Sequence, residues 1–303
     1  MDLTFKNISL SHVIDIAITA GERILEIYNT DDFQIELKKD ESPLTRADKA
    51  SHQIIITSLQ KAYPHIPVIS EEGTHLSYSE RRKWEYVWLV DPLDGTKEFI
   101  NRNGEFSVNI GLVKNQKPIL GVIYVPVIDT LYFAKQGLGS FKIEHCRDQS
   151  VICKTDDDWV EQALRIPLRH TYYATEDSAQ TQFDPRTGSA RSLKVVVSRS
   201  HFSVQTEQFL NTLKHDFDSI QLIKSGSSLK MCLFAEGIAD IYPRLSQSME
   251  WDTAAGEAIV ENAGAFVRST DGIDMKYNKQ NLENPHHIVS RSVFYNDLRG
   301  GSK

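Results

Sequence analysis

The sequence predicts a layered α/β protein, with an antiparallel first half followed by a second half of alternating strands and helices. Apolar residues recur at every third or fourth position from 10 to 28, which predicts an amphipathic helix. Hydrophobic residues alternate through 106–112, which predicts a half-buried strand. From 193 to 263 strand and helix patterns alternate regularly, which predicts a mostly parallel sheet. Together they indicate two stacked sheets with helices between and outside them.

The first half contains two helices and an antiparallel meander by its hydrophobic pattern. Its predicted helices span 10–28 and about 47–62, with a turn or loop at 38–45, and its predicted strands span 67–70, 86–90, 106–112, 119–125 and 130–134. The polar stretch 145–193 breaks this pattern and predicts an insertion or a partly ordered connection.

The second half repeats a strand–helix unit. The predicted strands span 193–198, 219–223 and 239–243, and the predicted helices span 203–214, 227–235 and 252–263. The change of rhythm predicts an N-terminal α+β domain at 1–192, in which 145–192 forms the insertion, and a C-terminal α/β domain at 193–303.

Composition narrows the class of function. The net charge of −7 argues against binding a nucleic-acid polymer, which requires a basic surface. No run of eighteen apolar residues is present, and the N-terminus lacks the features of a secretory signal, so we expect no transmembrane segment and no secretion. Three cysteines without metal-ligand spacing favour a reducing, cytoplasmic environment. A small phosphorylated ligand held by a metal remains compatible with this charge.

Residues 91–96, with the sequence DPLDGT, carry the strongest chemical signal. Asp91 and Asp94 follow an apolar strand, and with the main-chain carbonyl of Leu93 they offer the hard oxygen ligands that Mg²⁺ prefers. The N–H groups of Gly95 and Thr96 would begin a helix, where phosphate is favoured. The motif therefore predicts metal and phosphate side by side, although a turn capped by two aspartates is the alternative.

Two further carboxylates lie at the ends of predicted elements. Glu71 follows the strand 67–70, and Asp252 lies in the first turn of the helix 252–263. Taken alone, Glu71 is more typical of a solvated loop and Asp252 of a helix cap. With Asp91 and Asp94 they form the set of four that a polynuclear metal site requires.

These motifs resemble the inositol monophosphatase superfamily. The resemblance rests on DPLDGT with Glu-Glu upstream at 71–72, WDTAAG at 251–256 and SPLTRAD at 42–48, and it covers most of the chain in the same order. Only 145–193 departs from it. The resemblance implies an αβαβα sandwich and a Mg²⁺-dependent, lithium-sensitive phosphatase.

The resemblance also implies a ligand set for two or three Mg²⁺ ions. Glu71, Asp91 and the Leu93 carbonyl would hold one ion, and Asp91, Asp94 and Asp252 a second, while a third would lie near Glu71. One metal would generate hydroxide near neutral pH, and the other would stabilise the leaving oxygen.

A hydroxyl–carboxylate pair is the implied catalytic group. In the family pattern Thr96 and Asp48 accept a proton from the attacking water. The alternative for both residues is a helix cap.

The substrate depends on donors in the second half. His201, Ser227, Lys230 and Arg244 lie at strand ends or helix starts, where ligands collect in open α/β sheets, and they could bind a second phosphate. Ordinary surface charge or a loop histidine is the alternative. The predicted substrate contacts also include residues of the metal centre, namely Glu71, Leu93, Asp94, Gly95, Thr96 and Asp252.

The segments that contain His201, Ser227, Lys230 and Arg244 are similar to the bacterial 3′(2′),5′-bisphosphate nucleotidases of the CysQ type. This implies hydrolysis of the 3′-phosphate of 3′-phosphoadenosine 5′-phosphate. Inositol 1-phosphate or another small phosphomonoester is the alternative substrate, and a catalytically silent paralogue that binds nucleotide or metal is the alternative class. The same resemblance leaves open a homodimer and a peripheral position on the cytoplasmic side of the inner membrane, for which no basic amphipathic helix is found.

Overall fold

A computed structural model describes residue 5 and residues 7–30, 32–38, 42–148, 153–167, 192–200 and 202–291. The helices are α1 Leu10–Tyr28, α2 Arg46–Ala62, α3 Tyr78–Arg81, α4 Thr96–Ile100, α5 Asp156–Gln162, α6 Val204–Leu213, α7 Leu229–Glu236 and α8 Glu250–Asn262. The strands are β1 Glu36–Leu37, β2 Pro43–Leu44, β3 Val68–Ser70, β4 Tyr86–Asp94, β5 Ser107–Lys114, β6 Lys117–Val125, β7 Thr130–Lys135, β8 Gly139–Glu144, β9 Leu164–Ile166, β10 Ser192–Ser198, β11 Ser219–Ser225, β12 Ile241–Arg244, β13 Phe266–Ser269 and β14 His287–Ser290.

The first sheet has seven strands in the order β3-β4-β5-β6-β7-β8-β9. Only β3 and β4 pair in parallel, and the remaining neighbours are antiparallel, so the predicted meander is confirmed. The prediction that 106–112 is half-buried was wrong, because seven of the eight residues of β5 are buried. The sequence of β5 alternates because bulky apolar residues form one of its faces. Small and polar residues such as Ser107, Asn109 and Gly111 form the other face.

Helix α8 lies directly on the second face of this sheet. A Cβ at Gly121 would be 2.2 Å from the main-chain oxygen of Ala255, and one at Gly111 would be 2.9 Å from the Cβ of Ala254. These distances are too short for any side chain on the strands. The two glycines therefore set how closely α8 approaches the sheet.

The second sheet has five strands in the order β11-β10-β12-β14-β13. β10 pairs in parallel with β11 and β12, but β14 is antiparallel to both β12 and β13. The expected mostly parallel sheet was therefore wrong, and the sheet is mixed. β13 and β14 have four residues each, too few to give a periodic signal, and the sequence pattern did not reveal them.

Three apolar clusters define five layers. The first joins α1 and α2 to one face of the first sheet. The second joins the other face, through α7 and α8, to the second sheet. The third joins the far face of the second sheet to α6. The order is helices, sheet, helices, sheet, helix, which is the predicted αβαβα arrangement. The domain boundary near residue 192 stays a prediction.

The two stretches that the sequence predicted as irregular, 145–193 and 38–45, contain short helices or strands. Within 145–193, β9 pairs with β8 at the edge of the first sheet, and Trp159 of the helix α5 packs edge-on against Phe133. Residues 149–152 and 168–191 of this stretch lie outside the described residues. Within 38–45, β2 pairs with β1. Strands of two or three residues carry too few positions for a sequence pattern. In the part of the chain that the structure describes, no helix combines the length and the apolar character needed to cross a bilayer.

Candidate active site

A β-bulge at the end of β4 gives Asp91 and Asp94 access to the same cavity. Side chains three residues apart in a regular strand point to opposite faces. Here the register shifts from Asp91 opposite Asn109 to Asp94 opposite Ser107, so β4 contains one residue more than β5. A bulge of this kind changes the direction of the side chain that follows it. Both carboxylates consequently line one cavity, together with Leu93.

The turn after Asp94 depends on Gly95. Gly95 has φ +95°, which disfavours other residues, and a Cβ there would lie 3.2 Å from the main-chain oxygen of Glu105. Thr96 then begins α4, as the sequence predicted. Its Oγ1 donates to Asp48 Oδ1 at 3.1 Å and lies 3.4 Å from the main-chain oxygen of Leu93.

Asp48 caps a helix and also contacts Thr96. As a cap of α2, its Oδ2 accepts from the main-chain N of Thr45 at 2.7 Å and from the Thr45 hydroxyl at 2.5 Å. Its other oxygen accepts from Thr96. Burial raises the pKa of Asp48, against the lowering effect of the bonds from Thr45. The cap fixes the carboxylate in place, and the second oxygen faces the turn that bears Thr96.

The other two acidic residues reach the site from different layers. Asp252 lies in the first turn of α8, where its Oδ2 accepts from the main-chain N of Met249 at 2.9 Å. Glu71 follows β3, and Lys38 Nζ lies 2.6 Å from its Oε1 and 2.5 Å from Glu72 Oε1. Both Glu71 and Asp252 line the same cavity as Asp91 and Asp94.

Burial and mutual repulsion raise the pKa values of two of these carboxylates. Burial, followed by the charges of Glu71, Asp94 and Asp252, raises the pKa of Asp91 well above its usual range. Burial, followed by Asp94 and Glu71, raises the pKa of Asp252 to about 7. Buried carboxylates that face one another are stable in ionised form only beside positive charge.

The donor set fits a hard divalent cation in its chemistry. It consists of carboxylate and carbonyl oxygens only, which suit Mg²⁺, Ca²⁺ or Mn²⁺ and not softer metals. Within the described ranges no three acidic, histidine or cysteine side chains converge at ligand spacing, and Lys38 is paired with Glu71. Asp91 nevertheless lies in a buried position that the charges of Glu71, Asp94 and Asp252 surround.

Another part of the cavity lining, the basic wall, consists of basic and polar residues. The cavity has a volume of about 460 Å³, and Ser227, Lys230 and Arg244 line it. Lys230 is only 4% exposed, and its Nζ donates to the main-chain oxygen of Ser227 at 2.5 Å. Burial, then the charge of Arg244, lowers the pKa of Lys230 to about 8. Arg244 Nη2 donates to the main-chain oxygen of Gln247 at 2.8 Å.

The structure thus brings together all the predicted site residues that it describes. His201, also predicted to contact substrate, lies outside the described residues. Sequence reasoning missed Lys38 at Glu71 and Ser228, whose Oγ donates to Asp94 Oδ2 at 2.6 Å. Ser228 lies between the predicted contacts Ser227 and Lys230, so the motif marked its position but not its role.

Comparison with known proteins agrees with the five layers. A model of the inositol monophosphatase family matches residues 9–296. The chain belongs to the inositol monophosphatase family. The predicted fold class is confirmed by solved members, among them an inositol monophosphatase from Thermotoga maritima, with TM-score 0.67, 19% identity and coverage of 94% of this chain and 92% of that one.

Within the family the chain is similar to CysQ proteins. It is 39% identical over 284 residues to the 3′(2′),5′-bisphosphate nucleotidase CysQ of Escherichia coli (strain K12), which covers 93% of this chain and 99% of that protein. A crystal structure of CysQ from Bacteroides thetaiotaomicron is 43% identical, with TM-score 0.78, and covers 92% of this chain and 96% of its own. The predicted relationship to the CysQ type is confirmed.

Proposed function

We propose that this protein is a 3′(2′),5′-bisphosphate nucleotidase that hydrolyses the 3′-phosphate of 3′-phosphoadenosine 5′-phosphate. The observation that carries this proposal is a single cavity lined both by carboxylates, the acidic wall, and by the cations Lys230 and Arg244 of the basic wall. A substrate with two phosphates has a use for both walls. The similarity to CysQ nucleotidases over nearly the whole chain supports the same activity.

The acidic wall is the metal-binding part of the proposal. Glu71, Asp91, Asp94, Asp252 and the Leu93 carbonyl would hold two or three Mg²⁺ ions. Bound Mg²⁺ would polarise the phosphoryl group and lower the pKa of water. The residues themselves supply oxygen ligands from three elements, so the positions of those elements fix the spacing of the site.

Thr96 and Asp48 accept the proton of the attacking water. Thr96 Oγ1 already donates to Asp48 Oδ1, so the hydroxyl can accept a proton from the attacking water as it passes its own to the carboxylate. The pKa of Asp48 is raised by burial, which makes it a stronger proton acceptor. Its bonds to Thr45 hold the accepting oxygen in position.

The basic wall binds the phosphate that is not hydrolysed. Lys230 and Arg244 supply charge, while Ser227 and, from the sequence alone, His201 supply further donors. Because Lys230 is buried, its charge is little screened by water and acts strongly on a phosphate in the cavity.

The proposal also includes a cytoplasmic location, with the inner face of the membrane as the alternative, and leaves the homodimer as an expectation.

Phosphate release from two substrates tests the activity. We expect 3′-phosphoadenosine 5′-phosphate to be hydrolysed in the presence of Mg²⁺, with inhibition by Li⁺, and faster than inositol 1-phosphate. A preference for the inositol ester would reject the substrate. Absence of release from either ester would favour a silent binding paralogue.

A further inference from the structure

The hydroxyl of Ser228 contacts two of the acidic residues in the site. Its Oγ lies 2.6 Å from Asp94 Oδ2 and 2.8 Å from the main-chain oxygen of Asp252. A hydroxyl has one proton to donate, so these two oxygens share it. Ser228 is 5% exposed, and a hydrogen bond to a charged carboxylate at this depth is strong. One side chain therefore links a residue of the first sheet to a residue of α8.

Asn109 contacts the same carboxylate oxygen. Its Nδ2 lies 3.2 Å from Asp94 Oδ2 and 2.9 Å from Ser228 Oγ. Its Oδ1 accepts from the hydroxyl of Ser107 at 2.9 Å, which fixes the orientation of the amide. Ser107 and Asn109 are fully buried. Ser228 and Asn109 both donate to Oδ2 of Asp94 and not to its Oδ1, and this asymmetry sets the rotation of the carboxylate.

The turn that contains Ser228 also contains Lys230. Gly226 N donates to Glu105 Oε2 at 2.7 Å, and a Cβ at Gly226 would lie 2.8 Å from the main-chain oxygen of Glu105. Ser227 has φ +43°, an uncommon conformation that persists only where the surroundings enforce it. Its main-chain oxygen accepts from Lys230 Nζ. The contacts of Gly226 and Ser227 thus hold in place a turn that carries both Ser228 and Lys230.

We propose that Ser228 is a positioning residue that orients the Asp94 carboxylate, holds the first turn of α8 that carries Asp252, and joins both to the turn that binds the second phosphate. The inference rests on the proposed function, because it takes Asp94 and Asp252 as metal ligands and Lys230 as a phosphate contact. The partners that orient metal ligands affect metal affinity even though they do not touch the metal. Loss of the Ser228 hydroxyl would therefore disturb both walls of the cavity.

Calorimetric titration of the whole protein with Mg²⁺, in the absence of nucleotide, tests the first part. We expect Ser228→Ala to bind Mg²⁺ roughly 10- to 100-fold more weakly than the unchanged protein. Asn109→Ala should also weaken binding. In the double variant the loss should be smaller than the product of the two single losses, because both donors act on one oxygen. Unchanged Mg²⁺ affinity in Ser228→Ala would overturn the proposal.

Titration with adenosine 5′-phosphate in the presence of a chelator tests the second part. This nucleotide retains the phosphate assigned to Lys230 and needs no metal for that contact. We expect Ser228→Ala to weaken its binding about 5-fold, a typical size for coupling between sites. Loss of Mg²⁺ affinity with unchanged nucleotide affinity would overturn the link between the two walls.

The matched control is Ser225→Ala. Ser225 is also buried and lies three residues earlier, but its Oγ donates to the main-chain oxygen of Gly226 at 3.4 Å and, among the described residues, to no carboxylate. We expect both affinities to stay unchanged, and equal losses in this variant would indicate general disruption and overturn the assignment. If Ser228→Ala does not fold, Ser107→Ala replaces it, with a smaller loss of Mg²⁺ affinity expected and no loss counting against the proposal. Failure of the protein to hydrolyse bisphosphates would reject the proposed substrate without changing these binding results.

Discussion

At the residue scale, the acidic wall combines groups that destabilise one another. Asp91 and Asp252 are held in buried positions where neighbouring carboxylates raise the pKa of each. Such an arrangement costs stability in the folded chain, and it is typical of functional sites. Substituting one member should therefore affect function and stability in opposite directions.

Asp94→Ala tests this opposition. We expect kcat to fall about 100-fold or more, since a ligand of the metal is lost. The melting temperature without Mg²⁺ should stay the same or rise, because a repulsive charge is removed. Asp252→Ala should behave alike. Phosphate-release assays and thermal denaturation measure the two effects, with Glu22→Gln on the exposed face of α1 as the control. An unfolded Asp94→Ala protein, or near-normal turnover, would contradict the proposed site.

Lys230→Met separates recognition from chemistry. We expect KM for 3′-phosphoadenosine 5′-phosphate to rise about 10-fold or more, because a buried charge-assisted contact is lost. Turnover of a simple phosphomonoester should change much less. Lys224→Met is the matched control, since Lys224 is exposed and does not line the cavity. Equal losses on both substrates would reject the assigned role of Lys230.

The acidic residues could be predicted from the sequence because their motifs are local. DPLDGT contains two of the site's carboxylates, a carbonyl and the turn glycine within six residues. Lys38, Asn109 and Ser228 were missed because each matters through a contact distant in sequence, such as that of Ser228 with Asp94. Polar residues of this kind have no pattern that distinguishes them from ordinary buried serine or asparagine.

At the scale of elements, the contact between α8 and the first sheet depends on two glycines, which have no side chain. Gly111 and Gly121 lie where the helix backbone crosses β5 and β6. Sequence periodicity predicted these strands and this helix within a few residues of their observed ends. It did not predict how they pack, nor the bulge in β4 that gives Asp94 its direction, because both depend on the neighbouring strand or helix.

Gly121→Ala tests this close contact. We expect the free energy of unfolding to fall by about 3 kcal/mol or more, because the new Cβ would meet the backbone of α8 at 2.2 Å. Gly137→Ala is the control: it has φ +85° but no atom within 4 Å, so only backbone strain of about 1 kcal/mol applies. Urea denaturation measures both. A loss at Gly121 no larger than at Gly137 would mean that the helix moves away without cost.

At the scale of the whole molecule, the site is assembled from separate layers. Asp91 and Asp94 come from the first sheet, Asp252 from the helix between the sheets, and Lys230 from the neighbouring helix. The hydrophobic pattern and the family resemblance both predicted the layered fold, but periodicity predicted too parallel a second sheet. Its antiparallel strands β13 and β14 have four residues each, and β14 follows the long connection 270–286, where hydrophobic pattern carries little information.

Mg²⁺ should therefore stabilise the molecule as a whole. At about 100 times its Kd, a ligand that binds only the folded state adds about 2.7 kcal/mol. For a chain of this size we expect a rise in melting temperature of roughly 5 °C. Thermal denaturation with Mg²⁺ and with a chelator measures it. The rise should be absent in Asp94→Ala, and an equal rise in that variant would show that the ion binds elsewhere.

The position of α8 in the chain also affects how the protein is made. The first sheet is complete once β9 has been synthesised, yet the helix that covers its glycine-lined face begins more than eighty residues later. At roughly 5–20 residues per second on the ribosome, that face stays uncovered for several seconds. During this interval the nascent chain exposes a broad apolar surface to other chains. We therefore expect newly made protein to depend on chaperones, and truncation before residue 250 to yield aggregates.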